Sequence, residues 1–252
     1  MKPKYIALTS ILFIFGCGSP TQLPATQAAN LLPTEEVTQP DPESTELFPA
    51  ATPTIVDPNY FRDDFENDLG PGWQWLREVP TNWSLNAVPG QLQINVDGGE
   101  VSDETMTNLL LRDAPVGNFQ IETKITFSPS ADFQFAGLII YESPSNLIQA
   151  GRAFCDLPDV CVGDGLYVDY YNNGSFVTPN FAAAYPDSEV YLRLVRQGDT
   201  YTFQSSADGS EWILRGGTVS SMNPLQIGLA AGQNTTSIIP ALFDYFEVRS
   251  LP

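Results

Sequence analysis

The sequence predicts an all-β fold, a two-sheet antiparallel jelly-roll sandwich, over residues 59–252. Three observations carry this. Apolar and polar residues alternate with period two from Tyr60 onward, so successive side chains face opposite sides of a strand. Turn dipeptides separate the alternating runs. No stretch longer than a turn or two shows the 3.6-residue period of a helix.

The runs can be taken in chain order. Pro89-Gly90 precedes Leu92, Ile94 and Val96. Phe119, Ile121, Ile125 and Phe127 fall on one face of a strand, with Gln120, Glu122, Lys124 and Thr126 on the other. Ala136 to Tyr141 is apolar on both faces, as is Leu225 to Ala231, which suits central strands of a sandwich. Tyr167 to Tyr171 runs into the turn Asn172-Asn173-Gly174. Asp208-Gly209 separates Tyr201–Ser206 from Trp212–Leu214, a hairpin signature. About fourteen short strands without a fixed repeat point to a sandwich rather than a propeller or solenoid.

The first 58 residues have a different texture. Lys2 and Lys4 precede the 11-residue, mostly apolar run Tyr5–Phe15, too short to span a bilayer but suited to a signal-peptide core. The run ends in Ile14-Phe15-Gly16-Cys17, which resembles a bacterial lipobox. The resemblance implies acylation of Cys17 and removal of residues before it. An ordinary secretory signal cleaved nearby is the alternative. Residues 18–58 are rich in Pro, Thr, Ala and Glu and have no Lys or Arg. Such a segment buries too little apolar surface to offset its ordering entropy, and it is expected to be an extended stalk. Lipidation would place the protein in the cell envelope, on an extracytoplasmic face.

Composition excludes several classes of chemistry. There is no histidine, so Ser-His-Asp and Cys-His catalysis and His-ligated metals are ruled out. The net charge of −19 opposes binding to nucleic acid. With Cys17 acylated, Cys155 and Cys161 remain, and in a secreted protein they are expected to form a disulfide closing a small surface loop. Two thiols without further ligands make a poor zinc site.

Trp73-Gln74-Trp75-Leu76-Arg77-Glu78, Asn82-Trp83-Ser84-Leu85 and Pro89-Gly90-Gln91-Leu92-Gln93-Ile94 form one ordered signature. With Ala136 to Tyr141, Tyr191-Leu192-Arg193-Leu194, Ser206 to Trp212 and Ala241 to Phe246, it resembles the concanavalin A-like domain at the C-terminus of glycoside hydrolase family 43 β-xylosidases and arabinofuranosidases. The resemblance implies a lectin/glucanase-type sandwich, and xylan-like saccharides as ligands. It does not imply hydrolysis, because in that family the catalytic carboxylates belong to a propeller N-terminal to the sandwich. Residues from Cys155 to Gly163 depart from the family pattern.

Three kinds of site were weighed. Retaining glycosidases on related sandwiches place two carboxylates about 5 Å apart on one sheet face, and no strand here carries such a pair. Glu100, Asp103 and Glu104 lie in a turn region and read as solvated. Asp63, Asp64 and Asp244 come from the first and last strands, which pair in a jelly roll, and could share a structural calcium; solvated or capping carboxylates are the alternative. For sugar, Tyr167, Asp169, Tyr170, Tyr171 and Asn172, with Tyr141 and Arg152 from neighbouring strands, supply stacking rings and hydroxyl-reading groups and are expected to line a groove. The four tryptophans read as packing residues. The sequence thus favours a non-catalytic carbohydrate-binding surface lipoprotein. Its rival is an interaction module docking onto a separate hydrolase or envelope partner.

Overall fold

The computed structural model describes residues 59–159, 161–177, 181–233 and 238–252. The expectations for Cys17 and for residues 18–58 lie outside the described residues. The described chain forms β1 (Tyr60–Asp63), β2 (Gln74–Leu76), β3 (Trp83–Ser84), β4 (Leu92–Val96), β5 (Leu109–Asp113), β6 (Phe119–Thr126), β7 (Phe135–Ser143) and β8 (Asn146–Cys155). It continues with β9 (Gly163–Asn172), β10 (Ser175–Phe176), β11 (Phe181–Ala184), β12 (Glu189–Gln197), β13 (Thr200–Ser206), β14 (Ile213–Val219), β15 (Gln226–Gly232) and β16 (Ile239–Ser250). The shortest strands, such as β3 and β10, are two residues long and leave no periodicity to read.

Two eight-stranded antiparallel sheets result. Sheet A runs β14-β13-β12-β6-β16-β4-β3, with β1 also on β16; sheet B runs β10-β9-β8-β7-β15-β5-β2, with β11 also on β9. The all-β sandwich read from the alternation is therefore the fold. In β6 the expected partition is complete: Phe119, Ile121 and Ile125 are buried, and Gln120, Glu122 and Lys124 face outward. From sheet A, Leu92, Ile94, Leu192, Phe203, Phe243 and Phe246 meet Leu138, Ile140, Ile148, Leu166, Ile227 and Leu229 of sheet B in one core.

The first and last strands do pair, Asp63 opposite Phe246. Opposite residues of an antiparallel pair share a face, so Asp63 points inward with Phe246. Its carboxylate accepts from Phe65 N (3.0 Å), Gly70 N (2.7 Å) and Trp73 Nε1 (2.8 Å). Trp73 in turn packs on Phe61, Phe65 and Phe246. The buried acid thus organises the entry into the sandwich.

Arg152 is a second buried polar strut. It was expected at a ligand groove, but it sits on the inward face of β8 and is wholly inaccessible. Its guanidinium donates to Phe127 O (2.9 Å), Tyr185 O (2.6 Å) and Asp164 Oδ1 (2.6 Å). It ties sheet B to the chain leaving β6. Tyr170 is corrected for the same reason: as the register neighbour of Ile148 it is 3% exposed and belongs to the core. Replacing Arg152 by Met would leave two carbonyls and a carboxylate without their donor. The expected cost is about 3 kcal/mol, read from the denaturant midpoint. An unchanged midpoint would show that the strut is dispensable.

Candidate functional site

Sheet B is apolar on both faces, and its outer face carries its own cluster: Leu109, Leu111, Phe135, Ile139, Leu147 and Ala230. The connection between β4 and β5 folds over it as a lid and seats Val101 and Met106 on these residues. The bend depends on Gly99 at φ 107°, where a Cβ would lie 2.5 Å from the Thr105 carbonyl carbon. Arg77 Nε donates to Met106 O (2.6 Å), and Asn108 Oδ1 accepts from Val79 N (2.7 Å), fastening the end of the lid. The outer face is therefore not an open groove. The lid covers its β5 side, and a pocket of about 270 Å³ remains over β9.

Glu100 of the lid forms one wall of this pocket. Others come from Tyr167, Asp169 and Tyr171 of β9, from Phe176 of β10, and from the loop closed by the Cys155–Cys161 disulfide. The expected disulfide is present. The rim of that loop is held by Tyr167, whose hydroxyl accepts from Val162 N (3.0 Å) and donates to Gly163 O (2.7 Å). Tyr171 packs against the half-exposed Phe176 at 5.2 Å between ring centroids.

Asp169 lies at the pocket floor, where solvent reaches it only from the mouth. Gln149 Nε2 donates to Asp169 Oδ2 (2.9 Å) and to Gln233 Oε1 (3.2 Å). Burial pushes the Asp169 carboxyl above the ordinary carboxylate range; its bonds to Gln149 and Gln233 oppose this and the nearby Glu100 adds to it. Gln149 itself is 3% exposed, and its Oε1 has no hydrogen-bond partner.

The structure thus brings together Tyr167, Asp169 and Tyr171 of the expected set. Tyr141 is on the same outer face but under the lid side, beside Arg77 and Glu104. Asn172 is exposed in the hairpin, its Oδ1 accepting from Asn173. Arg152 and Tyr170 face the other way. Glu100, expected to be solvated, was missed because only the lid's return onto the sheet carries it to β9. Asp103 and Glu104 are exposed, as expected. Gln149 and Gln233 carried no signal beyond polar residues in apolar runs.

The three acids expected to share a calcium do not converge. Asp63 is inside and fully bonded. The register slips between Phe243 and Tyr245, and this bulge turns Asp244 outward to Lys124 Nζ (2.9 Å) and the Gln91 amide. Asp64 pairs with Arg62 at 2.7 Å. Asp64 and Asp244 line one shallow depression, but Arg62 and Lys124 line it too and supply the positive charge a cation would bring. Among the described residues no three His, Cys, Asp or Glu side chains are grouped to hold a metal. The residues present do not fit calcium.

Because the folded state holds the Asp169 proton more tightly than the unfolded chain, this group favours folding below the unfolded value. That contribution is lost as pH rises through the raised folded value. Asp169→Asn is therefore expected to raise the melting temperature at neutral pH by a few degrees and to have little effect in acid. A lower melting temperature at neutral pH would contradict the assignment.

Comparison with known proteins agrees with this architecture. The family model "Beta xylosidase C-terminal Concanavalin A-like domain" matches residues 62–249. The non-reducing end alpha-L-arabinofuranosidase BoGH43B of Bacteroides ovatus is 25% identical over 226 residues, which is 83% of this chain but 41% of that protein. The solved GH43 protein BlXynB of Bacillus licheniformis superposes with TM-score 0.68 at 23% identity, covering 78% of this chain and 40% of its own. The xylan beta-1,4-xylosidase of Bacillus halodurans C-125 gives TM-score 0.66 at 20% identity, over 79% and 40%. The matched part is the C-terminal sandwich, not the catalytic propeller. Carrying that domain's model through β1 to β16, the chain belongs to the beta xylosidase C-terminal concanavalin A-like domain family.

Proposed function

We propose that the protein is a non-catalytic carbohydrate-binding lipoprotein of the cell envelope, anchored through Cys17, with a saccharide held in the pocket over β9. The observation that carries this reading is the pocket itself. Ring faces from Tyr167, Tyr171 and Phe176 stand beside the carboxylates of Asp169 and Glu100, in a space sized for a sugar residue rather than a chain. The arabinofuranosidase and xylosidase that the domain resembles make saccharides the reasonable ligand class. Binding rather than turnover is favoured because Asp169 is engaged by the Gln149 amide, and Glu100 comes from a loop rather than the same strand.

A second reading, docking onto a protein partner, is favoured by one observation. The edge strand β14 exposes Ile213, Leu214 and Val219. Exposed apolar residues on an unpaired sheet edge invite association.

On a glycan array the full chain is expected to retain saccharides, and Tyr171→Ala to weaken retention about tenfold. Trp212→Ala, on the far face of sheet A, should leave it unchanged. Xylo- and arabino-oligosaccharides incubated with the chain should be recovered intact. Absence of any retained glycan, together with capture of one envelope protein, would replace this reading with the docking one. Cys17→Ser is expected to move the protein from the membrane to the soluble fraction; continued membrane association would remove the anchor from the proposal.

A further inference from the structure

Several carboxylates on the two sheets are matched to a cation. Glu122 pairs with Arg193 at 2.7 Å, Glu247 with Arg62 and Arg249, Asp244 with Lys124, and Asp164 with Arg152. Asp169 and Glu100 are not so matched. They share one pocket, no ion pair reaches either among the described residues, and no Lys or Arg lines the cavity. Two acids in a mostly apolar space without a counter-charge are costly, because burial disfavours their charged forms and each disfavours the other's.

Hydrogen-bond accounting points the same way. Two of the neighbouring donors are engaged within the protein: Tyr167 on Gly163 O, and the Gln149 amide on Asp169 and Gln233. The two acids present acceptor capacity to the cavity, an Asp169 oxygen and the Glu100 carboxylate, and Gln149 Oε1 is buried beside Asp169 without a partner. A neutral sugar can donate to these carboxylates but brings no charge to offset theirs. An ammonium group has donors and no acceptor, so it fits what is left over. The aromatic walls suit it as well, since ring faces attract cations. A bare metal ion does not fit, because those walls offer it no ligands.

We infer that the pocket recognises a sugar residue bearing a free amino group, with the ammonium between Asp169 and Glu100 and the ring against Tyr167, Tyr171 and Phe176. This rests on the carbohydrate-binding reading and narrows its ligand class. Its basis is the uncompensated negative charge of the pocket together with its aromatic lining.

The test is calorimetric titration of the full chain with glucosamine oligosaccharides, their N-acetylated counterparts, and neutral xylo- and arabino-oligosaccharides of equal length. The amine-bearing series is expected to bind at least about tenfold more tightly than either other series. Glu100→Gln and Asp169→Asn should each remove most of that preference while circular dichroism stays unchanged. Equal affinity for amine, acetylated and neutral series would overturn the inference and leave carbohydrate binding standing. No binding of any saccharide would overturn both. Tighter binding of choline or of a lysine peptide than of any saccharide would keep the ammonium site but remove the sugar.

Discussion

Sheet B cannot expose its outer face to water. Leu109, Leu111, Phe135 and Ile139 stand on that face, opposite strand residues that already build the sandwich core. At about 25 cal/mol for each Å² of apolar surface removed from water, leaving several such side chains bare would consume much of a domain's net stability. The β4–β5 connection meets this demand by laying Val101 and Met106 across the face. The cover stops before β9, and where it stops the pocket begins. The position of the site thus follows from a packing requirement one strand pair away.

The two sheets treat their outer faces differently. That of sheet A is polar and closely cross-linked: Tyr245 donates to Glu122 (2.6 Å), Arg193 grips Glu122 and lies 3.5 Å over the Trp212 ring, and Arg62 bridges Asp64 and Glu247. Networks of this kind hold side chains in place more than they add stability, since exposed pairs contribute little individually. That face is electrostatically satisfied within itself. On the outer face of sheet B, Asp169 and the lid's Glu100 have no ion pair, which is why recognition is assigned there.

The fold was legible because alternation over eight residues, as in β6, leaves a single way to orient a strand against a core. Trp73 and Trp83 were legible as packing residues from their place in the family signature, not from alternation. The site was legible only in part. Tyr167, Asp169 and Tyr171 share parity on β9, so one correct assignment of face delivers all three. Arg152 misled because a charged residue in an apolar strand suggests exposure, whereas three carbonyl and carboxylate acceptors made its burial tolerable. Asp244 misled because a bulge shifts parity by one residue, and period-two reasoning has no means of seeing it. Glu100 needed the path of a loop that is determined by the sheet beneath it.

The Cys155–Cys161 bridge has a further consequence. The two core clusters do not include it, but the span it closes runs straight into Val162 and Gly163, where Tyr167 pins the chain. Folding and ligand competence are therefore separable by thiol chemistry. Chain made in a reducing compartment would acquire its sheets and still have an untied rim, and only passage into an oxidising one would complete the wall against which a ligand rests.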